Sequence, residues 1–278
     1  MARLNVLKTY KIYSGGQFPR TESGRFYELK NKKQETIANV CLSSRKDFRN
    51  AVAAARSAFG NWSGRSASNR GQILYRIAEM LESRKTQFIE ELMLQGISSK
   101  VASEEILQSI DRLVYYAGWC DKYQQLFSSV NPVASPHFNF SLPEPTGVVT
   151  IIASETSPLL GLVSAIGPVI TGGNTCVVLA SEKMPLSAIT FAEVLATSDL
   201  PGGVVNVLTG TSKELHSHFS SHMDVNAIIY CRNNKEERKT IEENCSLNIK
   251  RFFNWSRNWT KSENQNPYLI LDLQEIKT

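Results

Sequence analysis

The hydrophobic pattern of this chain changes character once, near Gly147. Before that point apolar residues recur at helical spacing: Phe48, Val52, Ala55 and Phe59; then Ile73, Leu74, Ile77, Ala78 and Leu81; then Ile106, Ile110, Leu113, Val114 and Ala117. Residues three or four apart lie above one another on a helix, so each set is one apolar face of an amphipathic helix. One predicted helix is opened by Ser44 and Asp47 and ended by Gly60-Asn61-Trp62. Others run from about Ser68 to Ser83, over Lys85–Leu94 and from about Ser103 to Tyr123. Ahead of them Tyr10–Tyr13 and Ile37–Leu42 read as short strands, with turns at Gly15-Gly16 and Ser23-Gly24-Arg25. Pro132–Pro143 interrupts the pattern with an extended piece, His137–Ser141.

After Gly147, short, mostly apolar runs alternate with helices. The predicted strands are Val148–Ile152, Thr175–Leu179, Val204–Leu208, Ala227–Tyr230 and Ile249–Phe253. The predicted helices are Pro158–Ile170, Leu186–Thr197, Lys213–Ser220 and Lys235–Asn244. Strands apolar on both faces, separated by helices, imply a mainly parallel sheet covered on both sides, an α/β fold of Rossmann-like type. No Pro/Gly-rich linker divides the chain, so residues 1–278 read as a single domain.

Composition removes several functions. The net charge of +5 is mild and basic residues are mixed with acidic ones, which leaves no basic stripe for a nucleic acid. Cys41, Cys120, Cys176, Cys231 and Cys245 are scattered and odd in number, which is neither a disulfide framework nor a zinc spacing. The start MARLNVLKTYKIY lacks the apolar core of a signal peptide. The most apolar span, Gly147–Ile170, is broken by Glu155, Pro158 and Pro168, so no membrane helix is expected. A reducing, cytoplasmic setting fits. His216, His218 and His222 have no carboxylate partner and make a poor metal site, so metal binding is not expected.

Several landmarks occur together and in order. They are Ala51–Phe59 with Trp62, Arg70–Ala78, Tyr115-Tyr116-Ala117-Gly118-Trp119, Glu144-Pro145-Thr146-Gly147-Val148-Val149, Gly173-Asn174-Thr175 and Leu200–Val207. Together they resemble the cofactor-binding half of the aldehyde dehydrogenase superfamily. Ala227–Tyr230, Asn248-Ile249-Lys250 and the tryptophan-containing tail further resemble the degenerate second unit of aldehyde dehydrogenase family 16.

The resemblance implies a cysteine nucleophile, an oxyanion donor, a nicotinamide cofactor and a carboxylate base. Counted back from Pro158, Thr156 stands at the oxyanion Asn position, beside a negative Glu155; it reads better as a cap for the following helix. At the second core strand Leu179 replaces a ribose-holding lysine. Ser181 and Glu182 remain, and Glu182 either holds ribose hydroxyls or is a solvated loop carboxylate. Arg232 stands where the family's phosphate turn has glycine. It either pairs a phosphate directly or marks loss of the usual site, and loss is the preferred reading. Lys261 falls at the general-base position by a gapless count from Pro267.

No cysteine matches the nucleophile, and the chain stops at Thr278 before the catalytic domain that the resemblance implies. The expectation is therefore no catalytic residue and no firm cofactor, with NAD the one candidate, weakened or lost. Three readings stay open. The preferred one is a non-catalytic scaffold or assembly module. The others are an adenine-nucleotide-binding regulator and an NAD(P)-dependent aldehyde oxidoreductase completed by a catalytic domain supplied elsewhere. Residues 132–146 coincide with the family's oligomerisation hairpin. Their aromatics suit either an edge for a partner strand, from a homo-oligomer or another protein, or a local connection only.

Overall fold

Three short strands, β1 (Thr9–Tyr10), β2 (Phe26–Lys30) and β3 (Thr36–Cys41), open the chain as a sheet in the order β1-β3-β2. The coordinates are a computed structural model that describes residues 6–278. Residues 1–5, which begin the stretch read above for a signal peptide, lie outside the described residues. Four helices follow: α1 (Arg45–Ser63), α2 (Ala67–Ser83), α3 (Lys85–Leu94) and α4 (Ser99–Ala117). Ser44 and Asp47 form the capping box that the sequence predicts, with the Asp47 carboxylate accepting from the Ser44 N–H at 2.7 Å.

Several boundaries differ from expectation. The helix α1 runs through Gly60 because Trp62 is fully buried and donates its indole N–H to the Ile170 carbonyl at 3.1 Å, which holds the last turn down. The helix α4 starts earlier, capped by Ser98, and ends at Gly118; Tyr123 belongs to a separate short helix, α5 (Tyr123–Phe127).

Next come β4 (Ser129–Asn131) and β5 (Asn139–Pro145), an antiparallel pair in which Val130 faces Phe140. The β/α half is β6 (Val148–Ile152), α6 (Leu160–Thr171), β7 (Thr175–Leu179), α7 (Leu186–Ala196), β8 (Val205–Leu208), α8 (Ser212–Ser221), β9 (Ala227–Tyr230), α9 (Lys235–Ser246) and β10 (Arg251–Asn254). Its strands lie in the order β10-β9-β6-β7-β8, and every pair is parallel. All residues of β6, β7, β8 and β9 are buried, Thr150, Thr175 and Asn206 among them, as strands between two helical layers must be. The last strand begins two residues later than predicted, because Ile249 takes a positive φ of 53° and lies exposed in the turn.

The chain runs outward from β6 through β7 to β8, then returns to build β9 and β10 on the other side. That reversal sets a crevice at the carboxyl ends of β6 and β9, where doubly wound sheets hold their ligands. A tail follows with a 3-10 turn (Ser262–Asn264), α10 (Tyr268–Leu271) and β11 (Gln274–Lys277), the last paired antiparallel with β5. The expected partner edge therefore differs from the sequence reading. The aromatic strand β5 is the centre of a β11-β5-β4 sheet, and what it offers is a face bearing the exposed Phe140 and Leu142.

Candidate functional site

The crevice is a cleft of about 780 Å³ lined by the segments that leave β6, β7 and β9, by α4, and by residues 256–260 of the tail. Arg232, two residues beyond β9, crosses it and is 9% exposed. Its Nε–H donates to the Ala153 carbonyl at 2.9 Å and Nη1 donates to Glu182 Oε1 at 2.7 Å. Nη2 donates to Glu155 Oε1 at 2.8 Å and to the Ala180 carbonyl at 3.2 Å. A planar guanidinium suits this role, since its donors lie in a fixed fork.

The two carboxylates are held in turn. Glu155 accepts from Ser181 Oγ at 2.7 Å, from the Glu182 N–H at 3.0 Å and from the Lys183 N–H at 3.2 Å. Glu182 Oε1 also accepts the N–H of Ser212 at the start of α8. The tertiary structure thus gathers Ser181, Glu182 and Arg232 around Glu155, a residue that the sequence reading treated as a lone negative charge and not as a site residue.

Thr156 lies on the cleft wall but does not cap α6, contrary to expectation. Its hydroxyl sits 3.2 Å from Ser154 Oγ. The cap comes from α4: Glu105 Oε1 accepts the N–H groups of Leu159 at 2.9 Å and Leu160 at 3.0 Å and the Ser157 hydroxyl at 3.1 Å. Burial pushes the Glu105 carboxyl above its ordinary value, with those donors opposing the shift. Sequence reasoning missed Glu105, although its signal was present. It is a charge on the buried face of α4, with Ala102, Ile106 and Ser109.

Lys261 stands outside the cleft lining, exposed, with its ammonium 3.6 Å from Glu263. All five cysteines are buried and unpaired by disulfides. Cys231, on the cleft wall, has its thiol pushed up to about 12 by burial, and Cys176 is raised further for the same reason. Such thiols are poor nucleophiles. Among the described residues no group of three or more His, Cys, Asp or Glu side chains is placed to hold a metal ion. No helix among them is long and apolar enough to cross a membrane.

A dinucleotide does not fit this arrangement. Its pyrophosphate needs free N–H groups or a close backbone approach. Here N–H groups at each of the helix and turn starts around the cleft are already taken: Leu159 and Leu160 at α6 by Glu105, Glu182 and Lys183 by Glu155, Ser212 at α8 by Glu182, and Glu236 and Glu237 at α9 by the Asn234 side chain. Five carboxylates line the cleft (Glu104, Glu105, Glu155, Glu182 and Glu237) against three cations (Lys183, Arg232 and Arg257).

A five-stranded parallel sheet with its crevice at the switch point defines a Rossmann-like domain of the NAD(P)-binding type. The chain belongs to the aldehyde dehydrogenase family, whose family model matches residues 18–253. It is 33% identical over 257 residues to cytosolic 10-formyltetrahydrofolate dehydrogenase of Mus musculus, covering 90% of this chain and 28% of that protein. The human protein of the same name is 33% identical over 254 residues, covering 88% of this chain and 28% of that one. Among solved structures, the NAD+ complex of an aldehyde dehydrogenase from Bacillus cereus superposes with a TM-score of 0.83 at 27% identity, covering 88% of this chain and 50% of that one. PnpE from Pseudomonas sp. WBC-3 gives a TM-score of 0.83 at 28% identity, with 88% and 50% covered. The chain therefore spans about half the length of these solved relatives. The tail from Trp255 onward lies beyond the matched family model.

Proposed function

We propose that this chain is a non-catalytic aldehyde dehydrogenase-like module with a scaffold or assembly role in the cytoplasm, of the kind of the degenerate second unit of aldehyde dehydrogenase family 16. The observation that carries this reading is the clamp of Arg232 between Glu155 and Glu182, which fills the ligand edge of the sheet with the protein's own charges. Thr156 at the oxyanion position, an exposed Lys261 at the base position and buried, high-pKa thiols point the same way. For assembly, the support is the outer face of β4 and β5, where Val130 (69% exposed), Phe138 (74%), Phe140 and Leu142 lie exposed together. Apolar side chains grouped in this way on a surface favour a protein partner or a second copy.

Two measurements test the reading. Incubation with NAD+ and short aldehydes should give no NADH, alone or with an added aldehyde dehydrogenase catalytic domain. Turnover in the second mixture would establish the completed-oxidoreductase reading instead. Size-exclusion chromatography with light scattering should show an assembly that dissociates in Phe138→Ser/Phe140→Ser. A wild-type monomer that captures no partner would remove the assembly role.

A further inference from the structure

We propose that Arg232 is a built-in substitute for a cleft ligand: clamped between Glu155 and Glu182, its guanidinium closes the carboxyl edge of the sheet against dinucleotides. It also makes the strand-to-strand cross-link that a bound ligand makes elsewhere. The inference rests on the non-catalytic reading and deepens it by saying what would make this cleft reject a dinucleotide.

Position carries the first part of the argument. Arg232 leaves β9 and reaches the residues that follow the next two strands, Ala153 and Glu155 after β6 and Ala180 and Glu182 after β7. Through Glu182 the same cluster fixes the start of α8. One side chain therefore ties together the ends of three adjacent strands and a helix N-terminus. A ligand at a switch point binds to these same kinds of group.

Charge carries the second part. A guanidinium between two carboxylates leaves the cluster one negative charge in excess, so an incoming pyrophosphate meets repulsion rather than a free cation. Expelling Arg232 would leave Glu155 and Glu182 facing the phosphate with no counter-ion, and Glu155 would still occupy the Glu182 and Lys183 N–H groups. The guanidinium is buried and both carboxylates are partly buried, so breaking these pairs costs more than breaking a surface ion pair. The clamp is thus self-consistent only while no phosphate displaces the guanidinium.

Geometry also specifies what could replace the side chain. Truncation at Arg232 leaves a slot with two carboxylates and two carbonyls arranged for a planar fork, which is matched by a small guanidinium and not by an ammonium.

Thermal denaturation tests the proposal. Wild type should show a shift of less than about 1 °C with NAD+, NADH or ADP at about 1 mM, because a ligand that does not bind the native state cannot stabilise it. Arg232→Ala should melt lower by on the order of 10 °C. Ethylguanidinium at about 10 mM should restore several degrees, whereas ethylammonium at equal ionic strength should not. Clear stabilisation of wild type by NAD+, no rescue, or equal rescue by the two cations would overturn the clamp.

If Arg232→Ala does not fold, hydrogen exchange on wild type decides. The Glu182, Lys183 and Ser212 amides should be protected and unchanged by NAD+; rapid exchange there, or added protection with NAD+, refutes the proposal. NAD+ binding without turnover would remove the clamp and leave the non-catalytic reading standing, while NADH production would remove that reading itself.

Discussion

Glu105 on α4 accepts the main-chain N–H of Leu160 on α6 at 3.0 Å, so one helix supplies the N-terminal cap of another 55 residues away. Neither Leu159 nor Thr156 provides that cap, and the first turn of α6 would otherwise present unpaired donors in a buried place. Glu105→Ala should therefore destabilise the protein by about 2–3 kcal/mol, more than an exposed cap costs. Glu105→Gln, which keeps an acceptor oxygen, should lose less. Urea denaturation of the two variants checks the order, and equal losses would contradict the capping role.

The same carboxyl gives a pH dependence whose sign follows from burial. Its folded value lies above the ordinary one, so the folded state binds more protons. Stability from this group is complete below the unfolded value and declines as pH rises towards the folded value. Glu91 is raised for the same reason and should add to the slope, with its Oε1 accepting from Tyr10 and Thr190 while Oε2 lacks a partner. Glu91→Gln should flatten the stability profile above about pH 4.5. Melting temperatures across that range provide the measurement.

Lys250 works in the opposite direction. Its buried ammonium donates to the Ser220 carbonyl at 2.6 Å and to the His222 carbonyl at 2.9 Å, closing the end of α8, and burial lowers its value to about 8. Between about pH 8 and 10.5 the unfolded chain holds the proton that the folded protein releases, so this group raises stability with pH across that window. The gain should approach about 2–3 kcal/mol and vanish in Lys250→Met, which should also lose stability at pH 7. A wild-type profile that falls through the window, with Lys250→Met parallel to it, would show that the site carries no such linkage.

Two turns meet without room for a side chain. A Cβ on Gly202 would lie 2.7 Å from the Gly15 carbonyl oxygen, and one on Gly16, whose φ is +83°, would lie 2.9 Å from the Gly202 Cα. Gly202→Ala should cost about 2–4 kcal/mol because both contacts are backbone and cannot swing away. Chemical denaturation checks it, and a loss below about 0.5 kcal/mol would mean that the two turns separate easily.

The tail is part of the core. Trp259 is buried, and Arg112 of α4 holds the Trp259 and Asn264 carbonyls, each at 3.1 Å. At its far end the Asn174 side chain donates to the Leu273 carbonyl at 3.0 Å. Trp259→Ala should cost about 3–5 kcal/mol. Limited proteolysis should then cut within residues 255–278 while wild type resists.

Much of the architecture was legible because short, mostly apolar strands alternating with helices have few other solutions. Apolar runs place β6, β7 and β9 at their predicted bounds, and Ser44 with Asp47 reads directly as a cap. Local propensity failed where a distant contact overruled it. The Gly60-Asn61-Trp62 stretch stays helical because Trp62 is pinned to Ile170, and β5 became a central strand because β11 arrives from the other end of the chain.

The amino-acid sequence by itself determined the fold and the family. The fold class depends on periodicity and on glycine and proline positions, whose effects act within a few residues. The family rests on the resemblance of landmarks such as Gly173-Asn174-Thr175 and Leu200–Val207. The sequence reading also set Thr156, Leu179 and Arg232 at positions where the resemblance implies other residues. Only the tertiary structure decided what stands there instead. Arg232, Glu155, Glu182 and Glu105 come from four separate segments, and their pairing depends on side-chain geometry at a sheet edge. No local pattern encodes that distance, because it exists only after β6, β7 and β9 are laid side by side.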